Sequence, residues 1–132
     1  MGHLELEAEI GGYEAADLAA DRRASTYEAV SRLLNCSTSE VALVENATRA
    51  WDMAFYAVKL GAGDRILTCE AEYASNYIAY LQVARKTGAV IEVIPNDEHG
   101  QVSVEALRRM LGEGRVGLVG ITHVPTNGGL VN

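Results

Sequence analysis

From residue 41 onward the chain alternates without a break between short aliphatic, β-branched runs and longer helical stretches. This alternation constrains the fold more than any single motif does. The pattern predicts strand 41–45, helix 46–60, strand 65–70, helix 75–87, strand 90–94, helix 103–111 and strand 116–122. A first helix is expected over 13–34, with Ala20, Ala24, Tyr27, Val30 and Leu34 on one stripe. Gly61 and Gly88 fall just past expected helices, where a left-handed residue is wanted. Ser103 opens a helix after the turn 96–100. Strands alternating with helices imply βαβ units, so the expected class is α/β, with a mostly parallel sheet covered by helices.

In such sheets ligands bind at the C-terminal ends of the strands. After strand 41–45 comes Asn46-Ala47-Thr48-Arg49. Asn46 is a good N-cap, and the first turn has free N–H groups, a threonine hydroxyl and an arginine but no carboxylate. That combination suits an anion, above all a phosphate. The helix that follows places Trp51, Ala54, Phe55 and Val58 on one face. After strand 65–70 comes Glu72-Tyr73-Ala74-Ser75-Asn76, and after strand 116–122 comes a cluster with His123, Thr126 and Asn127. One site built from all three loops fits a planar, phosphorylated ligand. Plainer readings stand beside this one: the turn at 46–49 as an ordinary helix start, capped by Asn46 and solvated, Tyr73 packed on the core, His123 as a structural hydrogen-bonding group, and Gly128-Gly129 as a tight turn.

Several function classes are disfavoured. The formal net charge of -7 argues against nucleic acid or an anionic membrane as a partner. No apolar run approaches a membrane span, and the acidic start lacks the features of a signal peptide, so a cytoplasmic protein is expected. Cys36 and Cys69 have no metal-ligand spacing, and no metal site is expected. A nicotinamide fingerprint is absent, because Gly61-Ala62-Gly63 precedes a strand instead of following one.

Three segments carry a family resemblance. Glu45-Asn46-Ala47-Thr48-Arg49-Ala50 resembles the Gly-Thr-Thr-Glu-type turn that holds the cofactor phosphate in class V aminotransferases and cysteine desulfurases. These are fold-type I enzymes that use pyridoxal 5′-phosphate (PLP). Glu72-Tyr73-Ala74-Ser75-Asn76 resembles their Glu-His-His-Ala-Asn segment, whose first His stacks on the pyridine ring. Thr122-His123-Val124-Pro125-Thr126 resembles their Thr-His-Val-Ser-Asn segment near the ring hydroxyl. The wording around residues 9–14 and 47–51 is similar to the branch that includes the PLP-dependent C–S lyases of the ergothioneine pathway. The resemblance implies PLP as cofactor, with Ala47, Thr48, Tyr73, His123 and Thr126 as cofactor-binding residues. Two departures stand out. Tyr73 replaces the stacking His, and Thr126 falls where an Asn is expected.

The resemblance covers nearly the whole chain but only the first part of a family chain. It implies residues 1–132 to be part of the large, cofactor-binding domain, truncated at the C-terminus and at the N-terminus. The pyridine-pairing Asp, the Schiff-base Lys and the desulfurase Cys of the family lie beyond the last matching segment. The only lysines here are Lys59 and Lys86. The expectation is therefore a chain inactive by itself, from a homodimeric C–S lyase, desulfurase or transaminase acting on a small amino-acid-derived substrate. The alternative is a non-catalytic α/β module that binds a phosphorylated ligand or completes another polypeptide.

Overall fold

The computed structural model describes residues 2–126 and 128–132, so Asn127 of the expected polar cluster lies outside the described residues. The chain divides into two compact units, Met1–Leu43 and Val44–Asn132.

The first unit is helical: α1 (Gly2–Ile10), α2 (Gly12–Leu18), α3 (Ala20–Leu34) and a 3₁₀ turn, Thr38–Glu40. The single helix expected over 13–34 is thus divided, and α1 was not expected at all. Gly11, at φ 99°, separates α1 from α2. Ala19 separates α2 from α3, its ψ drifting to 6° while its N–H is shared between the carbonyls of Ala15 (3.1 Å) and Ala16 (3.2 Å). No Gly or Pro marks that second break. α3 ends at Asn35, whose φ of 53° is left-handed, a conformation Asn tolerates better than most residues.

The second unit carries the sheet. Its elements are α4 (Ala47–Phe55), β1 (Arg65–Cys69), α5 (Ala74–Thr87), β2 (Val90–Ile94), α6 (Val104–Leu111) and β3 (Val116–Gly120). The three strands are parallel in the order β2-β1-β3. The α/β class and the parallel sheet agree with the sequence pattern.

The strand expected at 41–45 does not form. These residues are largely exposed and pair with no strand among those described. A β-rich run becomes a strand only when another edge accepts its N–H and C=O groups. α4 also ends at Phe55 rather than at residue 60, and Gly61 is not left-handed; Gly63 (φ 80°) and Gly88 (φ 80°) are.

Every residue of β1 is buried. Its alternating side chains feed two cores. Ile66 joins Phe55, Ala79, Tyr80 and Ala89 beneath α4 and α5. Leu67 and Cys69 join Ile94, Val102 and Ala106 beneath α6. Each buried aliphatic side chain of this kind contributes about 1.5–3 kcal/mol. A bulge between Arg65 and Ile66 shifts the β1–β3 register, so that Arg65 faces Val116 and Ile66 faces Leu118. Among the described residues β3 has no second partner strand, which leaves an open edge.

No described helix is long and apolar enough to cross a membrane. Among the described residues no group of three His, Cys, Asp or Glu side chains could hold a metal ion. Cys36 and Cys69 are free thiols, and burial pushes the Cys69 pKa up.

Candidate functional site

The site lies at the C-terminal end of β1, where α4 and α5 begin. Asn46 is extended (φ −164°), and its Oδ1 accepts the Arg49 N–H at 2.9 Å. The Ala50 N–H bonds the Asn46 carbonyl at 3.1 Å. The N–H groups of Ala47 and Thr48 are left without a protein acceptor among the described residues. Helix starts offer such groups to anions.

Beside this turn is a cavity of about 620 Å³ lined by Asn46, Ala47, Thr48, Trp51, Tyr73, Ser75, Asn76, Ile121 and Thr122. The Nε1 of Trp51 and the Oγ of Ser75 are buried with no hydrogen-bond partner, and both residues line this cavity. An unpartnered buried polar atom costs about 1–3 kcal/mol. Both residues line the cavity while the two atoms themselves are closed to solvent, so an outside acceptor reaches them only through a small shift of the lining. Packing fixes the Trp51 ring: it stacks on Phe55 (centroids 5.6 Å apart, 7° between planes) and meets Tyr80 edge-on at 5.8 Å.

Tyr73 is 53 % exposed, so the core-packing reading of this ring is excluded. It also lines a second cavity, of about 510 Å³, together with Cys69, Glu70, Asn96, Thr126, Leu130 and Asn132. Tyr73 and Thr122 line both cavities. The structure thus brings Ala47, Thr48 and Tyr73 to one cavity and Tyr73 and Thr126 to the other. His123 is exposed and lines neither; its carbonyl accepts the Asn132 N–H at 2.8 Å. Arg49 is exposed and lies outside the cavity lining, so the anion turn offers no guanidinium there.

Glu72 holds this end together. One carboxylate oxygen accepts the Tyr73 N–H (2.8 Å), the Asn76 amide (3.0 Å) and the Thr122 hydroxyl. The other accepts the hydroxyls of Thr68 (2.9 Å) and Tyr80 (3.1 Å). Burial pushes the Glu72 pKa up, and the bonds from Thr122, Tyr73, Thr68 and Asn76 together outweigh it, so the carboxyl sits below its usual range. Burial and the neighbouring Glu72 charge drive the Tyr80 phenol far above its usual value, so it stays a neutral donor. Sequence reasoning did not assign roles to Glu72, Thr122, Ser75 or the Trp51 indole. The one signal available was the spacing that puts Glu72 four residues from both Thr68 and Asn76.

The comparisons with known proteins give the family and the fold. The family model for class-V aminotransferases matches residues 6–132. This chain belongs to the class-V aminotransferase family. A probable cysteine desulfurase of Synechocystis sp. is 31 % identical over 126 residues, covering 92 % of this chain and 30 % of that protein. The cystine C–S lyase C-DES, solved with its reaction product cysteine persulfide, superposes with a TM-score of 0.83 at 20 % identity, covering 98 % of this chain and 35 % of that one. A C-DES mutant with glycine covalently linked to its PLP cofactor superposes at 0.78 and 18 % identity, covering 98 % and 34 % of the two chains. This class-V chain therefore has the fold of the first part of a fold-type I enzyme, and the cofactor of its neighbours is PLP. It spans about a third of the length of the relatives it matches.

Proposed function

We propose that this chain supplies the phosphate-and-ring half of a PLP site in a class V enzyme that acts on a small amino-acid substrate, in the branch that breaks C–S bonds. The observation that carries the reading is the pair of unpartnered buried groups, Trp51 Nε1 and Ser75 Oγ, on the cavity that also exposes the Ala47–Thr48 turn. The donor set fits the cofactor. Two helix N–H groups, the Thr48 hydroxyl, the Ser75 hydroxyl and the indole N–H are all neutral, and they suit a phosphate at a helix start. The exposed Tyr73 ring is the aromatic face for the pyridine.

PLP, when bound, supplies an electron sink for negative charge developing beside the substrate amino group. The chain's own residues anchor and orient. Thr48 and the turn hold the phosphate, Tyr73 limits ring tilt, and Thr126 lines the second cavity, which Tyr73 and Thr122 also line. Neither lysine serves as the covalent anchor. Lys59 and Lys86 line a different cavity, at the C-terminal ends of α4 and α5. α5 has 14 residues, so at 1.5 Å per residue its two ends are about 20 Å apart. The reading therefore places the anchoring lysine outside this sequence, in the remainder of a large domain of a homodimeric enzyme.

Trp51, the single tryptophan, reports on the site. Titration with PLP should quench its fluorescence saturably, and Thr48→Ala should weaken binding by about 1–2 kcal/mol, the scale of one hydrogen bond to a charged group. Borohydride reduction should not label Lys59 or Lys86 stoichiometrically. Absence of saturable quenching, or an unchanged affinity in Thr48→Ala, overturns the assignment.

A further inference from the structure

We infer that Glu72 is the positioning residue of this site: its carboxylate ties the Tyr73 backbone to Thr122 and so fixes the two residues that line both cavities. The inference rests on the reading of Tyr73 as the cofactor-facing ring. Five donors converge on the carboxylate, from β1 (Thr68), from the entry of α5 (the Tyr73 N–H), from within α5 (Asn76 and Tyr80) and from the segment after β3 (Thr122). The Tyr73 N–H also reaches the Thr122 hydroxyl at 3.2 Å, closing a three-membered ring of hydrogen bonds.

Tyr73 is the N-cap of α5, yet its side chain makes no capping bond. The first turn of α5 is therefore held from outside, by the residue before the cap. The Tyr73 ring is half exposed. The backbone that carries it is held at its N–H by Glu72 and Thr122. Glutamine, of the same size, is a poorer substitute: its neutral oxygen accepts the Tyr73, Asn76 and Thr122 bonds more weakly, and its amide N–H groups require the Thr68 and Tyr80 hydroxyls to turn from donors into acceptors. The charge is retained because the five bonds favour the ionised form.

The test uses the full 132-residue chain with pyridoxine 5′-phosphate, which lacks the aldehyde and cannot be captured by lysine. Glu72→Gln should speed hydrogen exchange of the Tyr73 amide and the first turn of α5 at least tenfold. Amides of Leu67 and Val93 in the sheet should change less than twofold. Half-saturation of Trp51 quenching should rise at least tenfold. A merely structural role would shift all the amides together. Thr122→Val, which removes one donor and keeps the volume, should give the same pattern at about threefold, and it serves if the Gln variant does not fold. Unchanged exchange at Tyr73 overturns the inference, and so does faster exchange with unaltered ligand affinity. If the wild-type chain shows no quenching at all, the cofactor reading fails first and takes the role of Glu72 with it. That failure differs from one confined to Glu72, in which the wild type binds and the variants bind equally well.

Discussion

At the N-terminal end of β1, Arg65 gives Nε and one terminal nitrogen to the two Glu92 oxygens (2.7 and 2.6 Å) and the other terminal nitrogen to the carbonyls of Met110 (2.7 Å) and Glu113 (2.9 Å). Beside it, Asp64 takes the Gly61 N–H at 2.8 Å and the Arg115 guanidinium at 2.9 Å. At the C-terminal end of the same strand, Glu72 is equally well supplied. Its neighbours Trp51 Nε1 and Ser75 Oγ, however, are buried and unpaired. Both ends bury polar groups, but only one leaves donors open. A closed network at one end and open donors at the other distinguish a structural knot from a surface prepared for something outside the chain.

The largest expected effect comes from the scaffold that both ends share. Ile66 is fully buried at the centre of the core under α4 and α5. Ile66→Ala should destabilise the chain by about 3–4 kcal/mol in urea unfolding, through lost burial and a residual cavity. Ligand quenching should fall only in proportion to the unfolded fraction. A loss of affinity in the fully folded fraction would mean that the site depends on the core more directly than the comparison allows.

Two glycines of β3 separate the ends. A Cβ on Gly120 would clash with the Tyr80 hydroxyl and meet its Cζ at 3.1 Å. Tyr80 is fully buried among aromatic rings and bonded to Glu72, so it has nowhere to withdraw. Gly120→Ala should cost about 2–3 kcal/mol and disturb the site. A Cβ on Gly117 would meet the Leu60 Cδ2 at 2.5 Å, the tip of a side chain that can turn aside. Gly117→Ala should cost about 1 kcal/mol and leave ligand binding alone. Equal costs in thermal unfolding would erase the distinction between a rigid end and a yielding one.

Ser75→Ala should move stability and binding in opposite directions. Removing an unpaired buried hydroxyl should raise stability by about 0.5–1 kcal/mol, while pyridoxine 5′-phosphate binds several-fold more weakly. At the closed end, removing any partner should lower stability and leave binding unchanged. A Ser75→Ala chain that is both weaker and unaltered in affinity would show that the hydroxyl is ordinary packing.

Much of this was readable from sequence, and the failures share a cause. Strand 90–94 and the Ser103 cap came out as expected, because their signals are local: a β-branched run, and a cap whose Oγ accepts the Ala106 N–H at 3.2 Å. Residues 41–45 carry the same local signal but find no edge. The break at Ala19 has no residue type that announces it. Ala47, Thr48 and Tyr73 do come to line one cavity, although the strand expected just before Ala47 and Thr48 does not form. The role of Glu72 was not legible, because its partner Thr122 is fifty positions away, and only the folded sheet brings them together. His123 lies in the loop expected to face a ligand but lines neither cavity.

The smallest effect concerns acid. Hydrogen bonds from Arg65 hold Glu92 below the usual carboxylate range. Glu72 is also low, because its hydrogen bonds outweigh the burial that opposes them. Both groups then bind protons more weakly in the folded chain than in the unfolded one, where a glutamate titrates near about 4.3. Their stabilisation is complete above that pH and drains away as pH falls through it toward the folded values. Each group can add at most about 1.4 kcal/mol per pH unit to the slope. Glu72→Gln should therefore lower stability at pH 7 and flatten the acid limb between pH 5 and 3, while the contribution of Glu92 remains. Glu92→Gln should flatten the limb in the same way but leave pyridoxine 5′-phosphate affinity at pH 7 unchanged. Urea titrations at stepped pH measure both. A Glu92→Gln chain that loses affinity would couple the two ends of β1, and the closed end could no longer be read as structure alone.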